Sequence, residues 1–100
     1  WRVAVRCDGI NTYYGETIDI SLGGICFLTD QNLNAGTPVQ VFVQLPPKRQ
    51  GKEPQVVTAK AKVLYTAFSA EHDRWRLGVQ FTEFSTAERA KLEKELTQPR

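Results

Sequence analysis

The stretch T-I-D-I-S-L-G-G-I-C-F, residues 17–27, decides how the chain is read. Its first half alternates, with Ile18, Ile20 and Leu22 on one face of a strand and Thr17, Asp19 and Ser21 on the other. Gly23-Gly24 turns the chain, and Ile25, Cys26, Phe27 and Leu28 form the return strand. Such a half-buried hairpin holds a carboxylate and a hydroxyl two residues apart on its wet face, where one ligand can meet both. The glycine pair lets a ligand approach the backbone where a Cβ would collide.

Working outward, residues 2–7 alternate Val3, Val5 and Cys7 against Arg2, Ala4 and Arg6, which predicts a first strand ending in a turn at Asp8-Gly9 or Asn11. The second strand is expected over 13–21 and the third over 24–29, followed by a loop over 30–38 rich in Asn, Gly and Pro. Residues 39–45 alternate cleanly, with Val39, Val41, Val43 and Leu45 inward and Phe42 outward. Residues 46–54 read as a polar, basic loop. Residues 55–68 form a long strand with Val57, Ala59, Ala61, Val63 and Tyr65 on one face, and a turn at 69–73 follows. The last strand, 74–81, turns Trp75, Leu77, Val79 and Phe81 one way and Arg74, Arg76, Gly78 and Gln80 the other. Ser85 and Glu88 form a capping box, Glu88 reaching back to the cap, for a helix to about Leu96. Its apolar stripe is Ala87, Leu92 and Leu96, and Pro99 lies beyond its end. Six short strands without a crossover helix, then one helix, predict a mainly β fold: a six-stranded antiparallel β-barrel with a C-terminal α-helix.

Composition narrows the function. One hundred residues, 41% hydrophobic and 24% charged, suit one globular domain. The chain opens at Trp1 rather than Met, so a longer parent is expected, and a membrane-anchored one stays open. A net charge of +2 is too small for bulk binding of a nucleic-acid polymer but compatible with a small dianion. Cys7 and Cys26, far apart in sequence, read as reduced core cysteines of a cytoplasmic protein, and one histidine leaves a zinc site short of ligands. No metal and no cofactor are expected. His72 lies in a polar turn without a nucleophile elbow or oxyanion loop, and no glycine-rich loop opens a helix. The residues describe a binding module, not an enzyme.

Asp19-Ile20-Ser21-Leu22-Gly23-Gly24 resembles the D/N-x-S-x-x-G motif of PilZ domains, bacterial receptors for the second messenger cyclic di-GMP. A basic strand precedes it, an apolar return strand follows, and G-V-Q-F stands at residues 78–81, so the resemblance covers nearly the whole chain. It implies the same barrel, and a site shared between this strand and an R-x-x-x-R motif on a mobile segment ahead of it. Asp19, Ser21 and Gly24, with Gly23, match the first motif; R-V-A-V-R supplies Arg2 and Arg6 as the candidate arginines. Arginine meets the O6/N7 edge of guanine bidentately, stacks on a base and pairs with phosphate; a carboxylate accepts from guanine N–H groups. Arg76 is a further candidate on the barrel surface.

The spacing departs from the family. Only residues 7–18 separate Arg6 from Asp19, where family members fit a whole first strand, and Val3, Val5 and Cys7 look like that strand themselves. On an extended strand Arg2 and Arg6 stand about 13 Å apart. Three readings follow: the chain curls at its start, the motif lies upstream of Trp1, or the domain lacks it. The resemblance implies a receptor whose N-terminal arm folds over the ligand and controls a linked or partner effector, such as a glycosyltransferase making a cellulose-type exopolysaccharide, or motility. No membrane contact by the domain itself is expected. The alternative is a PilZ-like protein-interaction module that does not bind the nucleotide, using outward Phe42 and the helix. RNA binding, hinted at only by Arg74-Trp75-Arg76, is weaker because Trp75 takes the wrong face.

Overall fold

The computed structural model describes residues 1–46 and 55–97. Its strands are β1 (Arg2–Cys7), β2 (Asn11–Ile20), β3 (Gly24–Thr29), β4 (Pro38–Gln44), β5 (Val56–Ser69) and β6 (Arg74–Glu83), followed by the helix α1 (Thr86–Thr97). They close into a barrel in the order β1-β2-β3-β6-β5-β4, every pair antiparallel. This is the architecture expected from the strand pattern. The expected loop at 46–54 falls, apart from Pro46, outside the described residues, as does Pro99.

Alternation builds the interior. Val3 and Val5, Ile25 and Phe27, Val39, Val41 and Val43, Val57 and Val63, and Leu77 and Val79 all bury their side chains in one core. The β1–β2 turn is set by Asp8 at φ 49 and Gly9 at φ 76, the two positive dihedrals that a type I′ turn requires. Asp8 completes it by accepting from the N–H groups of Ile10 and Asn11, each at 3.2 Å.

Of the three register shifts in the barrel, two correct the expected alternation, the third being at Thr82 of β6. In β2, Thr17 pairs with Phe27 and Asp19 with Cys26, so Ile18 is the extra residue. Ile18 is therefore exposed, and Thr17 joins Gly15 on the side that faces buried Phe27 and Thr29. In β5, Val63 pairs with Val79 and Tyr65 with Gly78, so Leu64 is extra and Tyr65 moves to the outer surface. Both expected inward positions, Ile18 and Tyr65, fail because an inserted residue reverses the side on which the next ones emerge.

The helix docks on β5 through Leu92, which is fully buried in the barrel core. Ser85 Oγ caps it, accepting from Glu88 N–H at 3.1 Å. The reciprocal bond of a capping box is replaced: Glu88 Oε2 accepts from the Thr58 N–H of β5 at 3.2 Å, and Oε1 from Lys91 at 3.3 Å. Ala87 is exposed, because it lies roughly 140° around the helix from Leu92. Glu88, Glu95 and Leu96 flank Leu92 instead, buried or half-buried.

Candidate functional site

The end of β2 and the turn after it are shaped by Ser21. Its N–H donates to the Gly24 carbonyl at 2.9 Å, while its hydroxyl oxygen accepts from Gly23 N–H at 3.2 Å. The turn tip is Leu22-Gly23, and Gly24 already belongs to β3. The glycines play different parts. A Cβ on Gly24 would stand 2.1 Å from the Val79 carbonyl oxygen, so this glycine is required by the approach of β6. Gly23 has open space, with Ser21 Oγ at 3.7 Å as the one near atom, and its carbonyl accepts from Phe81 N–H at 2.9 Å. The open space at the turn lies beside Gly23, not Gly24.

Asp19 sits beside the Ile18 bulge, exposed, on the rim of a surface pocket of ≈ 280 Å³ that Trp1, Thr17, Ile18 and Ile20 also line. Reading across the sheet from Asp19, the outer row continues through Cys26 on β3, Gly78 on β6 and Tyr65 on β5. Cys26 is half-buried on this outer surface, a correction to the expected core thiol; Cys7 is buried as expected. Arg76 Nε–H donates to Cys26 Sγ at 3.2 Å, and the Tyr65 hydroxyl lies 3.3 Å from the same sulfur. The Cys26 bond, first, and burial second push the Tyr65 phenol above its ordinary range. The bond to Cys26 likewise raises Arg76, which stays a cation. The next row joins Gly24 to Gln80 and Lys62.

Four of the expected residues thus share one outer face with Arg76: Asp19, Ser21, Gly23 and Gly24. Tyr65 was missed, its alternation broken by the bulge. The sequence signal that marks it is Gly78, a mid-strand glycine, which commonly denotes close approach of another group. A Cβ there would stand 2.1 Å from Tyr65 Cε1.

Arg6 is not brought to the Asp19 end of this face, whereas Arg2, opposite Glu16, stands three residues along β2 from Asp19. β1 runs straight from Arg2, and its register puts Arg2 opposite Glu16 and Arg6 opposite Thr12. Arg6 is seven residues along β2 from Asp19, roughly 23 Å. Its guanidinium carbon lies 5.2 Å from the centre of the Phe42 ring on β4. Arg2 lines a small hollow with Ala4, Phe42, Gln44 and Val56, on the β4 side of β1. The chain does not curl at its start. Arg74 is tied to Glu16 and, at 3.1 Å, to Asp30. Trp1 is half-buried, its carbonyl accepting from Thr17 N–H at 2.7 Å. Tyr13 packs against the core, while Tyr14 is exposed.

Among the described residues, no helix is long and apolar enough to cross a membrane, and no cluster of metal-ligating side chains occurs. The family model for the PilZ domain matches residues 2–98. No curated protein matches the chain. Among solved structures it is similar to the inhibitor of motility MotI/DgrA of Bacillus subtilis, at 13% identity and a TM-score of 0.75. That likeness covers 99% of this chain and 48% of the other, so this chain spans about half the length of that structure. At this identity the likeness is one of fold.

Proposed function

This chain belongs to the PilZ domain family, and on that premise we propose that it is a cyclic di-GMP receptor domain. The observation that carries the reading is the convergence of Asp19, the Ser21–Gly23 turn and Arg76 on one outer face, with Arg76 anchored to Cys26, the cross-strand neighbour of Asp19. The Asp19 carboxylate accepts from guanine N1–H and N2–H. Arg76 donates to a phosphate or to the O6/N7 edge. The half-exposed Tyr65 ring offers a base a flat surface, and the open Gly23 backbone admits it. No cofactor other than the nucleotide is required.

The arginine motif, in this reading, precedes Trp1. Followed backwards, β1 pairs Arg2 with Glu16 and Trp1 meets Thr17, so residues ahead of Trp1 run towards Asp19. An R-x-x-x-R there reaches the site that Arg6 does not. Ordering of this arm on the nucleotide is the two-state element that transmits the signal. The output is control of a linked or partner effector in the cytoplasm, exopolysaccharide synthesis or motility being the classes expected of the family.

Isothermal titration of cyclic di-GMP tests this on the present chain and on one extended upstream by about twenty residues, the reach of one arm. Saturable binding by the longer form, weakened by Asp19→Ala and by Ser21→Ala with folding intact, is the expected result. Equal affinity in wild type and both variants sinks the site assignment. Silence from both chains leaves the alternative, an interaction module whose ligand is another protein.

A further inference from the structure

The guanidinium of Arg74 is bound twice. Its Nη1–H donates to Glu16 Oε2 on β2, and its Nε–H donates at 3.1 Å to Asp30 Oδ1, just beyond β3. A side chain from β6 thus reaches across β3 to β2. Between them Leu28 of β3 pairs with Glu16 on one side and with Arg76 on the other. Leu28 alternates outward between buried Phe27 and Thr29, yet it is only 9% exposed. The guanidinium fork, used on two carboxylates at once, holds each more firmly than a single contact would.

Glu16 has a second cation beside it. In the β1–β2 ladder its cross-strand partner is Arg2, and both residues are exposed. Opposite charges facing each other on neighbouring strands, with Cβ atoms about 5 Å apart, attract. The pair is nevertheless not made. Among the described residues Arg2 has no carboxylate within ion-pair distance, and Glu16 turns to Arg74 instead. Arg2 stands three residues along β2 from Asp19, roughly 10 Å, and its neighbour Trp1 lines the pocket on whose rim that carboxylate sits. Its charge is thus left available at the edge of the candidate site.

We infer that Arg74 is a positioning residue for the nucleotide face: it holds Glu16 away from Arg2, so that the Arg2 guanidinium meets a phosphate of cyclic di-GMP rather than a neighbouring acid. The inference rests on the proposed nucleotide reading, and Arg74 acts through Glu16 and Arg2, not by touching the ligand. Without Arg74, Glu16 turns to Arg2, and the acid's charge opposes the approach of a dianion.

The test is calorimetric titration of cyclic di-GMP into the upstream-extended chain, and into its Arg74→Gln, Glu16→Gln and doubly substituted forms. All should stay folded in thermal melts, since exposed ion pairs contribute little to stability. Arg74→Gln should bind about fivefold more weakly, the upper range for one cross-strand ion pair. Glu16→Gln should stay within about twofold of wild type, and the double variant should recover to the same level. The Arg2 Nε–H resonance should shift in Arg74→Gln alone, reporting its new pair with Glu16. A merely structural bridge cannot give that recovery, because the double variant lacks the bridge as completely as Arg74→Gln does. Unchanged affinity in Arg74→Gln, or a double variant as weak as Arg74→Gln, overturns the inference and leaves the nucleotide reading standing. No binding by any form, wild type included, overturns both.

Discussion

The ring of Tyr65 lies directly on the backbone of Gly78, leaving no space for a Cβ at residue 78. The contact crosses from β5 to β6 beside the bulge at Leu64 and holds the phenol over Cys26. Gly78→Ala must drive the ring off the sheet. Because the ring is half-exposed it can swing outward, so the expected cost is modest, about 1–2 kcal/mol. Loss of ring shielding at the residue-78 α-proton, with a folded spectrum otherwise retained, checks the displacement.

Gly24→Ala meets a different obstacle. The atom in the way is the Val79 carbonyl oxygen, which cannot move without shifting β3 against β6. A loss of about 3 kcal/mol or more is expected, against a few tenths for Gly23→Ala at the open turn tip. Urea unfolding of the two variants separates them. Similar midpoints would show that the motif glycine is not there for β6.

Leu92 is the one helix side chain buried completely in the core cluster. Leu92→Ala should cost about 2–5 kcal/mol. Glu88→Ala should cost less, about 1 kcal/mol, by freeing the Thr58 N–H. Faster hydrogen exchange at Thr58 in Glu88→Ala, while the rest of β5 stays protected, is the specific readout.

Bonds from the Asn11 N–H, first, and the Ile10 N–H hold the Asp8 carboxyl below its ordinary value of 3.8. A depressed carboxyl contributes stability that is present above the ordinary value and is lost as pH falls through the folded one. Asp8→Asn keeps a turn-forming side chain but not the charge. Its melting temperature should lie below wild type at neutral pH, and the gap should narrow as pH falls below about 4. A gap that does not change with pH would contradict this.

The two thiols should react differently. Cys7 is buried and its pKa is raised by burial, then by Asp8; Cys26 is half-exposed beside a guanidinium. Ellman's reagent should titrate one thiol in the folded protein, lost in Cys26→Ser, and two after denaturation. Cyclic di-GMP bound at the proposed face should slow the reaction of Cys26.

Much of this architecture was legible because it rests on local rules. Alternation in β1 and β4 and the Asp8-Gly9 turn depend on neighbours in sequence, as do the Ser21–Gly24 turn and the Ser85 cap, and all are present in the fold. The bulges at Ile18 and Leu64 were not legible. An extra residue in one strand is defined only against its partner strand, and nothing in T-I-D-I or V-L-Y states which carbonyl will lie opposite. The exposed Ile18 and the outward Tyr65 follow from that pairing, whereas Cys26 is outward by plain alternation with buried Ile25 and Phe27. Glu88 turned from its cap to β5 because the donor it found, Thr58 N–H, lies thirty residues away in sequence.

By itself, then, the sequence determined the barrel, its helix and the strand that carries Asp19 and Ser21, since hydrophobic period and turn chemistry are properties of short segments. Only the tertiary structure decided which arginines stand near them. R-V-A-V-R matches a motif in letters, yet the register of β1 against β2 and β4 sends Arg6 to Phe42, while Arg76, fifty residues after Cys26, is brought to the candidate site. Strand pairing joins residues that sequence separation cannot relate.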